Sequence, residues 1–479
     1  MNIALAIPEI FLLSMACVVL LLDLVFKDKN RFVTYMSAIA VLGATALFVL
    51  AEFSPDKATA FYGMYAADNL ANVLKLSVLL VMMGVFIYSR AYLQERNIFK
   101  GEFYLLSLLA TLGMMIMISA NTLLVVYLGL ELLSLALYAL VAFNRDNKKS
   151  SEAAMKYFIL GAIASGMLLY GMSIIYGLSG SLNLYDIAAY VSSQSVMTNI
   201  VLLFGISFIV AGLGFKFGVA PFHMWVPDVY HGASTIVTMI LGTAPKIAAF
   251  AIAMRLLVIG MESGAEGWQQ MLVLLSVLSL IIGNVIAIAQ TNIKRMFAYS
   301  TISHMGFILL GILSANETGY AASMFYAITY AVTAMGGFAI IILLSRAGFE
   351  ADELTDLRGL STRHPWYAFA MLLFLFAMAG FPPLVGFYAK FAVLEAAVHA
   401  GYLGLAVLAV LMSVIGAFYY LRAVKIMYFE EVSEDVDSAN SVHLSFKSLL
   451  MINGIFVVFL GLFPGILMSI CLKAIQYGL

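Results

Sequence analysis

GLGFKFGVAPFHMWVPDVYHGA, residues 212 to 233, decides how the rest of the chain is read. A long apolar run carries one lysine, Lys216, and then meets Pro221. A lysine at membrane depth costs roughly 2.5–3.5 kcal/mol on insertion scales, and a proline there frees backbone groups that need new partners. In lipid, broken helices are tolerated mainly where they line a cavity or an ion path, so charge and break together point to transport. The alternative is a lysine near a helix end whose head snorkels to the headgroups.

Composition carries the reading outward. The 479 residues are 63% hydrophobic and 11% charged, with a mean hydropathy of +1.02. Soluble domains carry about 25% charged residues, so the chain is expected to be an all-α polytopic membrane protein. A net charge of −1 offers no basic surface, and nucleic acid is not expected as a partner. Cys17 and Cys471 stand alone in apolar runs as lipid-facing or packed thiols, and no metal site is expected. The N-terminal run lacks a basic n-region and a cleavage site, and reads as the first permanent span.

At about 20 apolar residues per span the chain holds about 14 helices. They lie near 4–26, 32–52, 70–93, 103–119, 122–143, 152–178, 198–220 (broken, continuing to 229), 233–259, 269–290, 300–314, 319–346, 366–399 (broken), 401–429 and 446–472. NLYDIAAYVSS after Gly180 reads as a surface helix. Loop charge alternates: Lys27, Lys29 and Arg31, then Arg90, Arg96 and Lys100, then Arg145, Lys148 and Lys149, then Lys294 and Arg295, then Arg346, Arg358 and Arg363 fall on one side. Lys57 and Arg255 are the exceptions. The positive-inside rule then puts both termini on the outer face of the membrane. The polar loops near 347–365 and 430–445 are too short for a soluble domain.

A second broken span, AGFPPLVGFYAKF from Ala379 to Phe391, again joins glycine, proline and one deep lysine, Lys390. Paired interrupted segments point to inverted repeats with sites near the midplane. Spans 4–8 and 9–13 would be such repeats, dividing the single membrane domain into 1–102, 103–260, 261–430 and 431–479.

Glu131 in YLGLELLSLALY lies roughly 13 Å into its span at 1.5 Å per residue. An ion pair with Lys216 would hold both charged; a neutral acid bonded to a helix neighbour is the alternative. Lys246 in GTAPKIAAF sits mid-span, with Pro245 loosening the turn. Three buried lysines and a glutamate cost on the order of 10–14 kcal/mol together, and a row of titratable groups is what a proton relay requires. His304 is a candidate bridge between Lys246 and Lys390, with Tyr299, Ser300, Thr301 and Ser303 as polar neighbours. His223 follows the break as either a vestibule group or a cap. Lys156 either snorkels or stands at a proton entrance, and Glu395 and His399 are either exit groups or interfacial. Walker A, dinucleotide-binding and HExxH motifs are absent, so no cofactor is expected on this chain.

Taken together, GLGFKFGVAPFHMWVPDVYHGA, YLGLELLSLALY, AQTNIKRMFAYSTISHMGF and AGFPPLVGFYAKF resemble the antiporter-like membrane subunits of respiratory complex I, and most closely the N type. TMILGTAPKIAAF has lysine where other types are histidine-rich, and the terminal lysine argues against the M type. The loop from His231 to Ile236 departs from relatives, which usually place an acidic residue or Gln before the glycine and a proline soon after. The resemblance implies two inverted five-helix units with helices 7 and 12 broken. It also implies a Glu131–Lys216 pair, Lys246 as central link, and Lys390 as terminal site toward an outer half-channel. Flavin, iron–sulfur clusters and quinone are then expected in partner subunits, with neighbouring antiporter-like and small membrane subunits alongside this one. A subunit of a multisubunit sodium/proton antiporter is the alternative, and a purely structural membrane subunit a third reading.

Overall fold

The chain is described by a computed structural model over residues 2–26, 31–53, 57–96, 98–346, 348–431 and 444–478. Lys27, Lys29 and most of the polar loop 430–445 lie outside the described residues. Among the described residues, 13 helices are long and apolar enough to cross a membrane. The span expected at 366–399 is absent from that set because it is two short helices, Pro365–Ala379 and Val385–His399. Together they restore the fourteenth crossing. The surface helix after Gly180 is Leu184–Ser192.

Local sequence sets the helix starts. Asp68, Thr122, Asn147, Asn199, Asn292 and Asn316 each stand at an N-cap and accept a first-turn amide hydrogen. Where water is scarce, such a side chain satisfies a donor that would otherwise be orphaned.

The helices Thr235–Ile259, Ile293–Leu313 and Glu317–Leu344 are buried almost all round. In helices near the ends of the chain, such as Ile3–Val25 and Leu444–Leu462, only about a third of the residues are buried. The core therefore lies where Lys246 and His304 sit, because those residues belong to the two most enclosed helices.

Three expectations need correction. The last span is two helices, Leu444–Leu462 and Gly465–Gly478, divided at Pro464, which cannot donate to the ladder. The eighth span runs as Thr235–Gly242, Ala244–Ala253 and a π-helical turn, Met254–Ile259, interrupted at Thr243 just ahead of Pro245. Arg255 belongs to that turn and is fully buried, so it is no loop charge.

Small residues fix one close helix pair. Helices Gly101–Ile118 and Leu123–Val141 cross at Gly113 and Gly129. A methyl on Gly129 would lie 2.8 Å from the Met117 amide nitrogen and 2.9 Å from the Gly113 carbonyl oxygen, and neither backbone atom can step aside. Gly129→Ala is expected to destabilise the subunit by about 1–3 kcal/mol through overpacking. Reduced recovery of intact complex from membranes carrying this variant would show it.

Candidate functional site

The two breaks are built alike. The helix Ile200–Phe217 stops at Gly218 (φ +77°), and Pro365–Ala379 stops at Gly380 (φ +91°). Both glycines occupy the left-handed region, and the amide of the next residue reaches back five positions, Val219 to the Gly214 carbonyl and Phe381 to the Phe376 carbonyl. This is a Schellman stop, for which glycine is the natural residue. A proline follows three residues after each glycine, and both Ala220–Pro221 and Pro382–Pro383 are cis.

The helix stops leave the binding atoms, and the prolines keep the backbone from filling them. In an unbroken helix the amide at 221 would donate to the Phe217 carbonyl and the amide at 383 to the Ala379 carbonyl. Proline has no N–H, so both carbonyls are left for another donor. The Lys246 ammonium donates to the Phe217 oxygen at 2.9 Å, and the Lys390 ammonium to the Ala379 oxygen at 2.9 Å. Lys390 also donates to Ser413 Oγ at 2.9 Å. Each buried lysine thus caps the C-terminal end of a half-helix, the end at which a cation is stabilised by the helix dipole. Trp225 and Phe307 present ring faces to Lys246 and Lys390, at 5.2 and 5.1 Å from the ring centres.

Lys216 and Lys246 share one cavity of about 20 Å3, lined also by Ser134, Tyr157, Trp225 and Pro245. That is room for about one water-sized sphere. The second half-helix of the first break, Trp225–Gly232, is pinned to the first, because the Trp225 indole donates to the Phe215 carbonyl at 3.1 Å. Ser279 holds the connector by accepting from the Ala220 amide at 2.9 Å.

The Glu131–Lys216 ion pair is not formed. Lys216 donates to Ser134 Oγ at 2.8 Å, and Glu131 Oε1 is buried without a hydrogen-bond partner. Glu131 shares a helix face with the exposed Leu128 and Leu135, whereas Ser134 turns inward. The ammonium takes the inward hydroxyl, and the carboxylate acts on it only through space.

His304 bonds to neither lysine. Its ring lies between Tyr326 (Nδ1 to OH, 2.7 Å) and Tyr420 (Nε2 to OH, 3.1 Å), and Lys390 acts on it through space. None of the expected polar neighbours bonds to the ring directly, and Ser300 reaches it only through Tyr420. Ser300 pairs with the Tyr420 hydroxyl at 2.5 Å, Thr301 with the Tyr330 hydroxyl at 2.7 Å, and Ser303 accepts from Asn284 at 2.8 Å. Tyr299 makes no side-chain hydrogen bond among the described residues. Tyr326, Tyr330 and Tyr420 were missed because they lie on other helices, and no spacing rule links them to position 304.

Lys156 is exposed and bridged, 2.8 Å from Glu152 and 2.9 Å from Asp228. Asp228 also binds Arg295 at 2.9 Å, so one carboxylate on the second half-helix ties two transmembrane helices together. His223 sits half-buried in the connector, its backbone carbonyl accepting from the Val226 amide. Glu395 and His399 are exposed at the end of Val385–His399, beside an apolar groove. Past the departing loop, the Ala233 carbonyl accepts from Lys294 at 3.1 Å.

Two broken helices, each closed by a buried lysine at the core of a polytopic bundle, define an ion-translocating membrane subunit of the antiporter-like class. The chain belongs to the family described as NADH:quinone oxidoreductase/Mrp antiporter, transmembrane, which it matches over residues 120–416. It is 56% identical to NADH-quinone oxidoreductase subunit N of Thioalkalivibrio sulfidiphilus, over 98% of each chain. It is 51% identical to the same-named subunit of Nitrosomonas europaea, over 99% of this chain and 98% of that one. Among solved structures, a chain of respiratory complex I from Thermus thermophilus with bound Aureothin aligns with a TM-score of 0.83 at 32% identity, covering 96% of this chain and 98% of that one. A chain of the archaeal membrane-bound sulfane sulfur reductase shares the fold alone, with a TM-score of 0.87 at 23% identity over 99% of this chain and 97% of that one.

Proposed function

We propose that this chain is the proton-translocating membrane subunit of a bacterial NADH:quinone oxidoreductase, moving protons along Lys216, Lys246 and Lys390 under the drive of quinone reduction in partner subunits. The observation that carries the reading is the shared cavity: Lys216 and Lys246 open onto one water-sized space, and Lys390 repeats the Lys246 arrangement at the second break. The cavity has room for about one water, through which a proton leaving Lys216 would pass to Lys246.

Glu131, on the partly exposed face of its helix, is the group through which a neighbouring subunit would act. Changing one unit charge at 4 Å with ε near 20 is worth about 4 kcal/mol. That is enough to decide whether a poised buried ammonium keeps its proton, and movement of Lys216 from Ser134 toward Glu131 would set the register of each cycle. His304 and its tyrosines offer hydrogen-bonded steps beside Lys390, from which the proton leaves on the outer side. The spans fall into inverted units over 103–260 and 261–430, preceded by three helices over 1–102 and followed by 431–479, with both termini outside. Flavin, iron–sulfur clusters and quinone belong to partner subunits, and small and antiporter-like membrane subunits flank this one.

Purification through a tag on this chain in mild detergent tests the assignment. Flavin- and iron–sulfur-bearing subunits with NADH:quinone activity are the expected company. Recovery of polytopic chains alone, without redox cofactors, would move the chain to the sodium/proton antiporter branch and leave the same lysines as an ion-exchange path.

A further inference from the structure

A second group of buried charges lies at the other end of the molecule from the Arg295–Asp228–Lys156 network, and the lysine row does not use it. Glu9 on Ile7–Val25, Lys75 on Asn69–Glu95 and Tyr65 on the small hairpin Ala58–Ala60 with Tyr65–Ala67 come together there. The Lys75 ammonium lies 2.5 Å from Glu9 Oε1 and donates to the Tyr65 hydroxyl at 2.6 Å, which donates in turn to Glu9 Oε2 at 2.9 Å. One ammonium is thereby matched to one carboxylate.

Glu52 is a second carboxylate in the same place. It ends the helix Phe32–Ala51, and Lys75 and Glu9 are the charges that act on it. The Asn72 amide donates to the Glu52 backbone oxygen at 3.3 Å, which fixes that side chain beside it. Two buried acceptors remain, Glu52 Oε2 and Asn72 Oδ1, and neither has a hydrogen-bond partner. Asn72 is only 2% exposed. A buried acceptor without a donor costs about 1–3 kcal/mol, and here two face the same requirement. One proton on Glu52 would meet it, because a carboxylic acid is a donor as well as an acceptor.

We propose that Glu52 is a proton-binding site, distinct from the lysine row, whose carboxyl carries and exchanges one proton between the Lys75–Glu9 pair and Asn72. Burial raises its affinity for that proton; Lys75 opposes this and Glu9 reinforces it, leaving the carboxyl pushed up to about 7. Of the other charges on the packed elements, Asp68 is paired with Arg255, Lys57 donates to the Gly478 carbonyl and Lys473 on the last helix is exposed. Because the ordinary value is 4.5, the folded chain binds the proton more tightly than the unfolded chain, and this site weakens the fold as pH rises from 4.5 to about 7.

The intact purified complex, followed by infrared difference spectroscopy across neutral pH, tests the proposal. The expected result is a carboxylic-acid carbonyl band that disappears as pH rises, is absent in Glu52→Gln and is shifted in Glu52→Asp. Asn72→Leu, which leaves the carboxyl in place but removes its acceptor, should move the band to higher frequency and keeps the question answerable if the glutamine variant fails to assemble. A band unchanged in Glu52→Gln, or unmoved in Asn72→Leu, overturns the assignment. So does a signal that follows sodium concentration rather than pH, which would make the occupant a metal cation.

Discussion

Replacing Lys246 with methionine is expected to slow proton transfer through this subunit by on the order of 10²-fold or more, the scale on which a positioned proton-transfer group acts, and so to lower the protons moved per NADH. The Lys246 ammonium is 1% exposed and has one hydrogen-bond acceptor, the Phe217 carbonyl released by Pro221. Methionine keeps most of the side-chain volume in a cavity that holds little else, so packing changes little. The Phe217 carbonyl loses its donor at a cost of about 1–3 kcal/mol, which an assembled complex can absorb. Lys246→Arg separates proton carriage from electrostatics. A guanidinium can still donate to Phe217 but does not give up its proton, so this variant should assemble well and pump as poorly as the methionine one. Proton release and NADH oxidation measured together in inverted vesicles decide the matter. Arginine pumping at the parental ratio would mean that position 246 supplies only a fixed positive charge, and the relay would have to bypass it.

The two breaks and their lysines were legible because glycine, proline and a lone charge in apolar sequence each violate the rules for a simple span, and such violations persist only where the structure uses them. What the spacing could not give was the acceptor. Pro221 and Pro383 each lie four residues after the carbonyl they strip of its partner, yet finding that Lys246 from another helix takes the first, and Lys390 from its own the second, requires the packed chain. The Glu131–Lys216 pair failed for a local reason: the buried Ser134, one turn further along, takes the ammonium, and Glu131 is only partly buried, on the face of Leu128 and Leu135. The second charge group escaped notice altogether. Lys75 and Glu9 sit near span ends, where an unpaired charge reads as interfacial, and loop counting treated Arg255 as a stray. Only the fold brings Asp68, from the start of a different helix, against that guanidinium. The final span was read as continuous because Pro464 lies in an unbroken apolar run, with no charge to mark the interruption.

Asp68 and Arg255 form the most enclosed ion pair described in the chain, both side chains fully buried, and breaking it from one side should be the most destabilising single change at this end of the molecule. The contact is bidentate, at 2.7 and 3.0 Å, and the remaining Nε–H of Arg255 donates to the Ile118 carbonyl at 2.9 Å. Removing one partner of such a pair leaves an uncompensated buried charge and costs about 3–5 kcal/mol. Arg255→Met should therefore lower the thermal stability of the purified complex sharply, or leave the subunit unassembled. Asp68 has a second task, accepting from the Ala71 amide at 2.7 Å as the cap of its helix. Asparagine can keep that cap while losing the charge, so Asp68→Asn isolates the electrostatic part from the capping part. The double variant Asp68→Asn with Arg255→Met removes both charges and retains the cap, and it should be more stable than Arg255→Met alone by most of the single-variant loss. The double-mutant cycle reads the coupling directly. If Arg255→Met assembles and melts like the parent, the desolvated pair is not holding helix Asn69–Glu95 against the π-helical turn, and its retention in lipid would have to be explained by transport instead of by structure.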